Sequence, residues 1–181
     1  MLIISQNLSN YSMPFPDDVI YRINLAWINT ISELNDILTK HKQHKIFLDL
    51  PTHRTKPPAN RYTIEELIPT IRNFPNILYF AISNTNDPDD ILSIQEKLPN
   101  GIIVVPKIEN VLGIENIEDI VDSINAKEKI IMLDHDDLYR SIEKDDEPIS
   151  KFHDSIDVLV KFCRKNNVIL LRTRGVIFAD D

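Results

Sequence analysis

Glycine is scarce in this chain of 181 residues: there are only 3, and no two of them fall into a GxGxxG or Walker spacing. The usual backbone cradles for nucleotide phosphates are therefore excluded. A single cysteine, Cys163, rules out a disulfide within the chain. Its place in the helical pattern Ile156 to Cys163 predicts a small buried thiol rather than a nucleophile. No stretch approaches the ~20 apolar residues of a membrane span. The start Met1-Leu2-Ile3-Ile4-Ser5 lacks the basic region of a secretory leader, so a cytoplasmic protein with no membrane partner is expected. Basic residues are in deficit too, 20 against 28 acidic, for a net charge of -8 and no Lys/Arg run. Such a surface repels a phosphate backbone, and nucleic acid is not an expected partner. Against these absences stands a hydrophobic content of 43%, enough for the core of one domain spanning residues 1–181.

Short apolar runs at Leu2–Ile4, Tyr21–Trp27, Ile46–Leu50, Ile77–Ile82, Ile102–Val105, Ile130–Leu133 and Val168–Leu171 read as strands. Helical patterns lie between most of them. Thr30-Ile31-Ser32-Glu33 and Thr63-Ile64-Glu65-Glu66 have the form of capping boxes, and Asp87-Pro88 sets a cap before a first-turn proline. Strand alternating with helix, with few hairpin signals, predicts an α/β protein with a parallel sheet. Polar residues close almost every strand, which favours a (β/α) TIM-type barrel, its strand ends ringed around one mouth, over a doubly wound sheet with one switch point. A full barrel has eight strands and usually ~250 residues. About seven strands are legible here, and an eighth is missing or lies in Val176 to Ala179. An open sheet would expose an edge, so a homodimer, or a partner covering that edge, is expected. The loops Thr52 to Arg61 and Glu143 to Pro148 read as solvated surface.

The most pointed segment is Lys107-Ile108-Glu109-Asn110, followed at once by a helix start at Val111. Alternation along the preceding strand puts Lys107 and Glu109 on one side and Ile108 on the other. Two opposite charges there are either a strand-end ion pair that holds the loop or part of a site. The segment Lys107 to Asn116 closely resembles the fifth strand and helix of the pyruvate kinase barrel, and more loosely the aldolase and citrate lyase branches of the same phosphoenolpyruvate/pyruvate group. The resemblance continues in order along the chain. Arg22-Ile23-Asn24-Leu25 is similar to the second-strand RxNF stretch, Leu48-Asp49-Leu50 with Arg54-Thr55 to the third strand, and Phe80-Ala81-Ile82-Ser83 to the fourth. Asp134-His135-Asp136-Asp137-Leu138 resembles the sixth-strand motif that carries a metal-binding aspartate, and Thr173 stands one residue late for the seventh.

The resemblance implies Glu109 and Asp137 as ligands of Mg2+ or Mn2+, with water and a bidentate oxo-acid filling the other positions. It implies Lys107 as the cation that stabilises an enolate, and Arg22 as the holder of a phosphate or carboxylate. Asn24, Asp49, Ser83 and Thr173 complete its substrate-binding set. The third-strand motif is shortened and lacks its glycine, which puts the family's monovalent cation in question. Asp136 replaces a glycine that lets backbone N–H groups approach the substrate carboxylate. The family's lid domain has no counterpart, since only Thr52 to Tyr62 lies between the third strand and the next helix. The expected function is metal-dependent chemistry on pyruvate, phosphoenolpyruvate or a related 2-oxo acid through an enolate. Phosphotransfer of the pyruvate kinase type is one alternative, and a non-catalytic barrel serving binding or assembly is another. Bland readings stand beside these: Arg22 and Asp49 as a buried ion pair, Asp134 to Asp137 as a solvated turn with one helix cap, the five histidines as surface or packing groups, and Trp27 and Phe47 as core.

Overall fold

The computed structural model describes residues 1–6, 18–52, 58 and 60–172. Among the described residues seven strands form one parallel sheet: β1 (Ile3–Ser5), β2 (Ile20–Asn24), β3 (Lys45–Leu50), β4 (Ile77–Ile82), β5 (Ile103–Ile108), β6 (Ile130–Leu133) and β7 (Ile169–Arg172). Their order in the sheet is their order in the chain, β1 through β7. A doubly wound sheet needs a reversal of order at its switch point, and this sheet has none. It curls into a half-barrel with helices along its outside, as the barrel expectation required. Among the described residues no strand pairs with the outer edge of β1 or β7. Val176 to Ala179 and Thr173 lie outside the described residues, as do Arg54 and Thr55.

The helices are α1 (Ile31–Lys40), α2 (Ile64–Asn73), α3 (Pro88–Gln95), α4 (Val111–Glu115), α5 (Ile117–Ser123), α6 (His135–Lys144) and α7 (Ser150–Lys165). They start where local chemistry satisfies their first amides. Thr30 accepts from the Glu33 amide, and Thr63 with Glu66, like Asp87 with Asp90, makes a reciprocal capping box. Two expectations shift. The single helix expected after Asn110 is divided at Asn116 into α4 and α5. The strand expected from Tyr21 to Trp27 stops at Asn24, because the Asn24 side chain accepts from the Ala26 amide and turns the chain into a 3-10 turn over Leu25–Trp27. That turn buries Leu25 and Ala26 and leaves Trp27 54% exposed, so Trp27 is not core as its size suggested, whereas Phe47 is fully buried.

Alternation along the strands builds two apolar layers. Ile23, Leu48, Phe80, Val104, Ile108 and Ile131 point outward and pack under the helices together with Leu34, Leu67, Ile120 and Leu159. Phe47, Tyr79, Ala81, Val105 and Met132 point inward and fill the bottom of the barrel. Cys163 belongs to the outer layer, and burial pushes its thiol up to about 11, in keeping with an inert packing role. No helix of the described residues is long and apolar enough to cross a membrane.

Candidate functional site

The inward-facing positions change character at the carboxyl ends of the strands. Stepping two residues on from the apolar layer leads from Ile20 to Arg22 and Asn24, from Phe47 to Asp49, from Ala81 to Ser83, from Val105 to Lys107 and Glu109, and from Met132 to Asp134. The period of two that places apolar groups at the bottom therefore stacks charges above them. All of them but the fully buried Asp49 line an open cavity of about 720 Å³, and together they form its floor.

Lys107 is the hub of that floor. Its ammonium lies 2.7 Å from Glu109 Oε1 and 3.8 Å from both Asp49 Oδ1 and Asp134 Oδ2, and it donates to Ser83 Oγ at 3.0 Å. Lys107, Glu109, Asp49 and Ser83 are all buried. Burial by itself pulls Lys107 towards neutrality, but Asp49 and Glu109 outweigh it and hold its pKa above the ordinary lysine value, so it is protonated at neutral pH. Burial pushes the Glu109 carboxyl above its usual range, and Lys107 recovers only part of that. Glu109 Oε2 accepts from the Asn84 amide at 2.8 Å, while Oε1 touches Lys107 without a well-directed hydrogen bond. Asn84 reaches this position through a left-handed backbone with φ of 52°, a conformation asparagine tolerates better than most residues.

Arg22 is paired with Asp49: its Nε donates to Oδ2 at 3.1 Å and its Nη2 donates to the same oxygen. The ion pair anticipated as the bland reading of these two residues is thus present. Asp134 caps α6, Oδ1 accepting from the Asp137 amide at 3.3 Å, and this cap swings Asp137 over the cavity. Carboxylate oxygens of Glu109, Asp134 and Asp137 all lie within 4.8 Å of one another, a group that could hold a metal ion. Glu109 and Asp137 were expected as a pair from the family resemblance. Asp134 was legible only as a strand end or cap, and its second role follows from β6 ending beside β5. His135 is turned to Arg172, whose Nε donates to its Nε2 at 3.2 Å. Burial and then Arg172 lower its pKa, keeping it neutral. Asn24 lines the cavity, its side chain spent on the 3-10 turn. Thr173, the remaining expected residue, lies outside the described residues.

Four carboxylates (Asp49, Glu109, Asp134, Asp137) thus face two cations (Arg22, Lys107), a formal excess of two negative charges over the floor. One divalent cation would balance it. Carboxylate oxygens are the hard ligands that Mg2+ and Mn2+ take.

No family model matches the chain, and no curated protein matches it. Among solved structures it is similar to RipC from Yersinia pestis, at 14% identity and a TM-score of 0.63, over 99% of this chain and 77% of the other. At that identity the likeness concerns the fold alone.

Proposed function

We propose that the chain is a divalent-metal-dependent enzyme that acts on pyruvate, phosphoenolpyruvate or a related 2-oxo acid through an enolate. The observation that carries this reading is the all-oxygen group of Glu109, Asp134 and Asp137 set beside the buried, protonated Lys107. The donor set fits Mg2+ or Mn2+: hard oxygens and a formal excess of two negative charges. A bound cation would supply Lewis-acid polarisation of the keto group. The residues of the chain do the rest. Glu109 is held in place by the Asn84 amide, and Asp137 by the cap at Asp134. Lys107 offers its fixed positive charge to the oxygen on which negative charge grows as C3 loses a proton to water in the open cavity. Asp49 and Ser83 keep that ammonium pointed at the floor, and Arg22 stands at the edge to take a carboxylate or phosphate.

A second reading has its own support. Lys107 already sits 2.7 Å from Glu109, so the cluster can serve as an ion network that ties the strand ends together in a non-catalytic barrel. Metal binding separates the two. Calorimetry with Mn2+ and oxalate, an enolate mimic, is expected to show binding that Glu109→Gln, Asp134→Asn or Asp137→Asn abolishes; no heat from the unmodified protein would sink the enzyme reading. Exchange of pyruvate methyl protons in deuterated buffer is the direct assay of enolisation, and Lys107→Ala is expected to stop it.

A further inference from the structure

The wall of the cavity formed by α6 is charged oppositely to the floor. Asp137, Arg140, Ser141 and Lys144 all line the cavity and fall at positions i, i+3, i+4 and i+7 of one helix, a single stripe two turns long. The opposite face of α6 is anchored by the buried Leu138 and Ile142, which fixes the direction of the stripe. Arg140 and Lys144 are exposed, and among the described residues neither side chain has a hydrogen bond or ion pair. Lys144 lies in the last turn, where the helix dipole already favours a cation. Arg140 stands in the middle of the helix, three and four residues after Asp137 and Asp136. Across the mouth the acidic groups are spent: Asp87 Oδ1 accepts from the Asp89 amide at 2.9 Å, and Asp90 Oδ2 from the amides of Asn86 and Asp87 at 2.9 and 3.2 Å. Asp87 and Asp90 stay charged but are turned onto backbone amides, and the cations of the mouth lie on the α6 side.

We infer that Arg140, seconded by Lys144, is a specificity-determining residue that binds a second anionic group of the substrate. The substrate class becomes a 2-oxo acid with a distal carboxylate or phosphate-like group, its 2-oxo-acid head at Glu109, Asp134 and Asp137. This rests on the functional reading above. The helix rise puts Arg140 about 4.5 Å and Lys144 about 10.5 Å along the axis from Asp137, the span of a short carbon chain. Arg140 can present its planar fork to either kind of anion.

The test uses ligands matched except for the distal group: 2-oxoglutarate against 2-oxovalerate, and phosphonopyruvate against 2-oxobutyrate, each titrated into the Mn2+-loaded chain. The distal anion is expected to tighten binding roughly tenfold, between the worth of an exposed ion pair and that of a charged hydrogen bond. Arg140→Gln, a helix-compatible change at an exposed site, is expected to bring that ratio close to one. General damage to the barrel would weaken both members of a pair and leave their ratio alone. Whichever pair shows the larger ratio identifies the distal group as carboxylate or phosphate-like. Equal affinities within both pairs in the unmodified protein overturn the inference, as does a ratio that survives Arg140→Gln combined with Lys144→Gln. Failure of Mn2+ and oxalate to bind at all is a different result and removes the functional reading itself, the inference with it.

Discussion

Replacing Lys107 by methionine keeps most of the side-chain volume and removes the one ammonium that faces Asp49, Glu109 and Asp134 together. Breaking a buried ion pair from one side costs about 3–5 kcal/mol, because the remaining charge is left uncompensated. Protonation limits the loss. An ordinary glutamate binds its proton near pH 4.3, so neutralising one carboxylate of the floor costs about 3.7 kcal/mol at pH 7 but only about 1 kcal/mol at pH 5. The sign follows from linkage: the variant's folded state holds a carboxyl whose pKa is raised above its unfolded value, so the penalty is full at neutral pH and shrinks as pH falls towards the unfolded value. For a domain of this size each kcal/mol moves Tm by about 2–4 °C. Thermal unfolding in EDTA should therefore show Lys107→Met roughly 6–15 °C below the unmodified protein at pH 7, and only about 2–4 °C below it at pH 5. Saturating Mn2+ should raise the Tm of the variant more than that of the parent, since the cation then also replaces the missing positive charge. A Tm loss under 2 °C at pH 7, or an equal loss at both pH values, would refute the view of Lys107 as the hub of an over-acidic floor.

Gly113 opens a second test. A Cβ there would stand 2.6 Å from the Thr85 carbonyl oxygen, a backbone atom that cannot swing away. Gly113→Ala should thus cost about 1–3 kcal/mol by overpacking, despite the gain alanine brings to an ordinary helix; a variant that melts higher than the parent contradicts the close approach. His41 supplies a pH dependence away from the cavity. It is buried, stacks on Tyr21 at 3.9 Å and faces His44 with Nδ1 atoms 3.4 Å apart, and desolvation, then His44 and Lys40, lower its pKa below 6.5. The folded state holds it neutral, so stability is complete above pH 6.5 and declines below it by up to about 1.4 kcal/mol per pH unit. His41→Phe, which keeps the stacking, should flatten that decline in urea melts between pH 6.5 and 5, and an unchanged slope would refute the assignment.

Much of the scaffold was legible because its signals are local. Ile77–Ile82 and Ile130–Leu133 match the expected bounds, and the caps at Thr30, Thr63 and Asp87 start helices where expected. The misreadings come from competition between local rules. An apolar run from Tyr21 to Trp27 looks like one strand, but the Asn24 amide oxygen offers Ala26 a better partner than the ladder does and ends it. Asp134 looked like a cap, which it is. That it also faces Glu109 and Lys107 depends on the neighbouring of β5 and β6, which no local pattern records.

The division lies between order along the chain and convergence in space. Periodicity, capping residues and the alternation at Lys107 and Glu109 fix which segments become strands, where helices begin and which side chains share a face, because these depend on dihedral preferences and on burial within a few residues. Only the folded sheet decides which strands are neighbours, and so which charges meet. Consecutive parallel order brings Arg22 to Asp49, Lys107 between Asp49 and Asp134, and Asp137 over Glu109, each partner more than twenty residues away in the chain. Burial then sets the strength of those meetings. The same carboxylates would be worth little on a surface, and in a half-closed barrel they make a floor that holds an ammonium protonated and leaves two negative charges to be balanced.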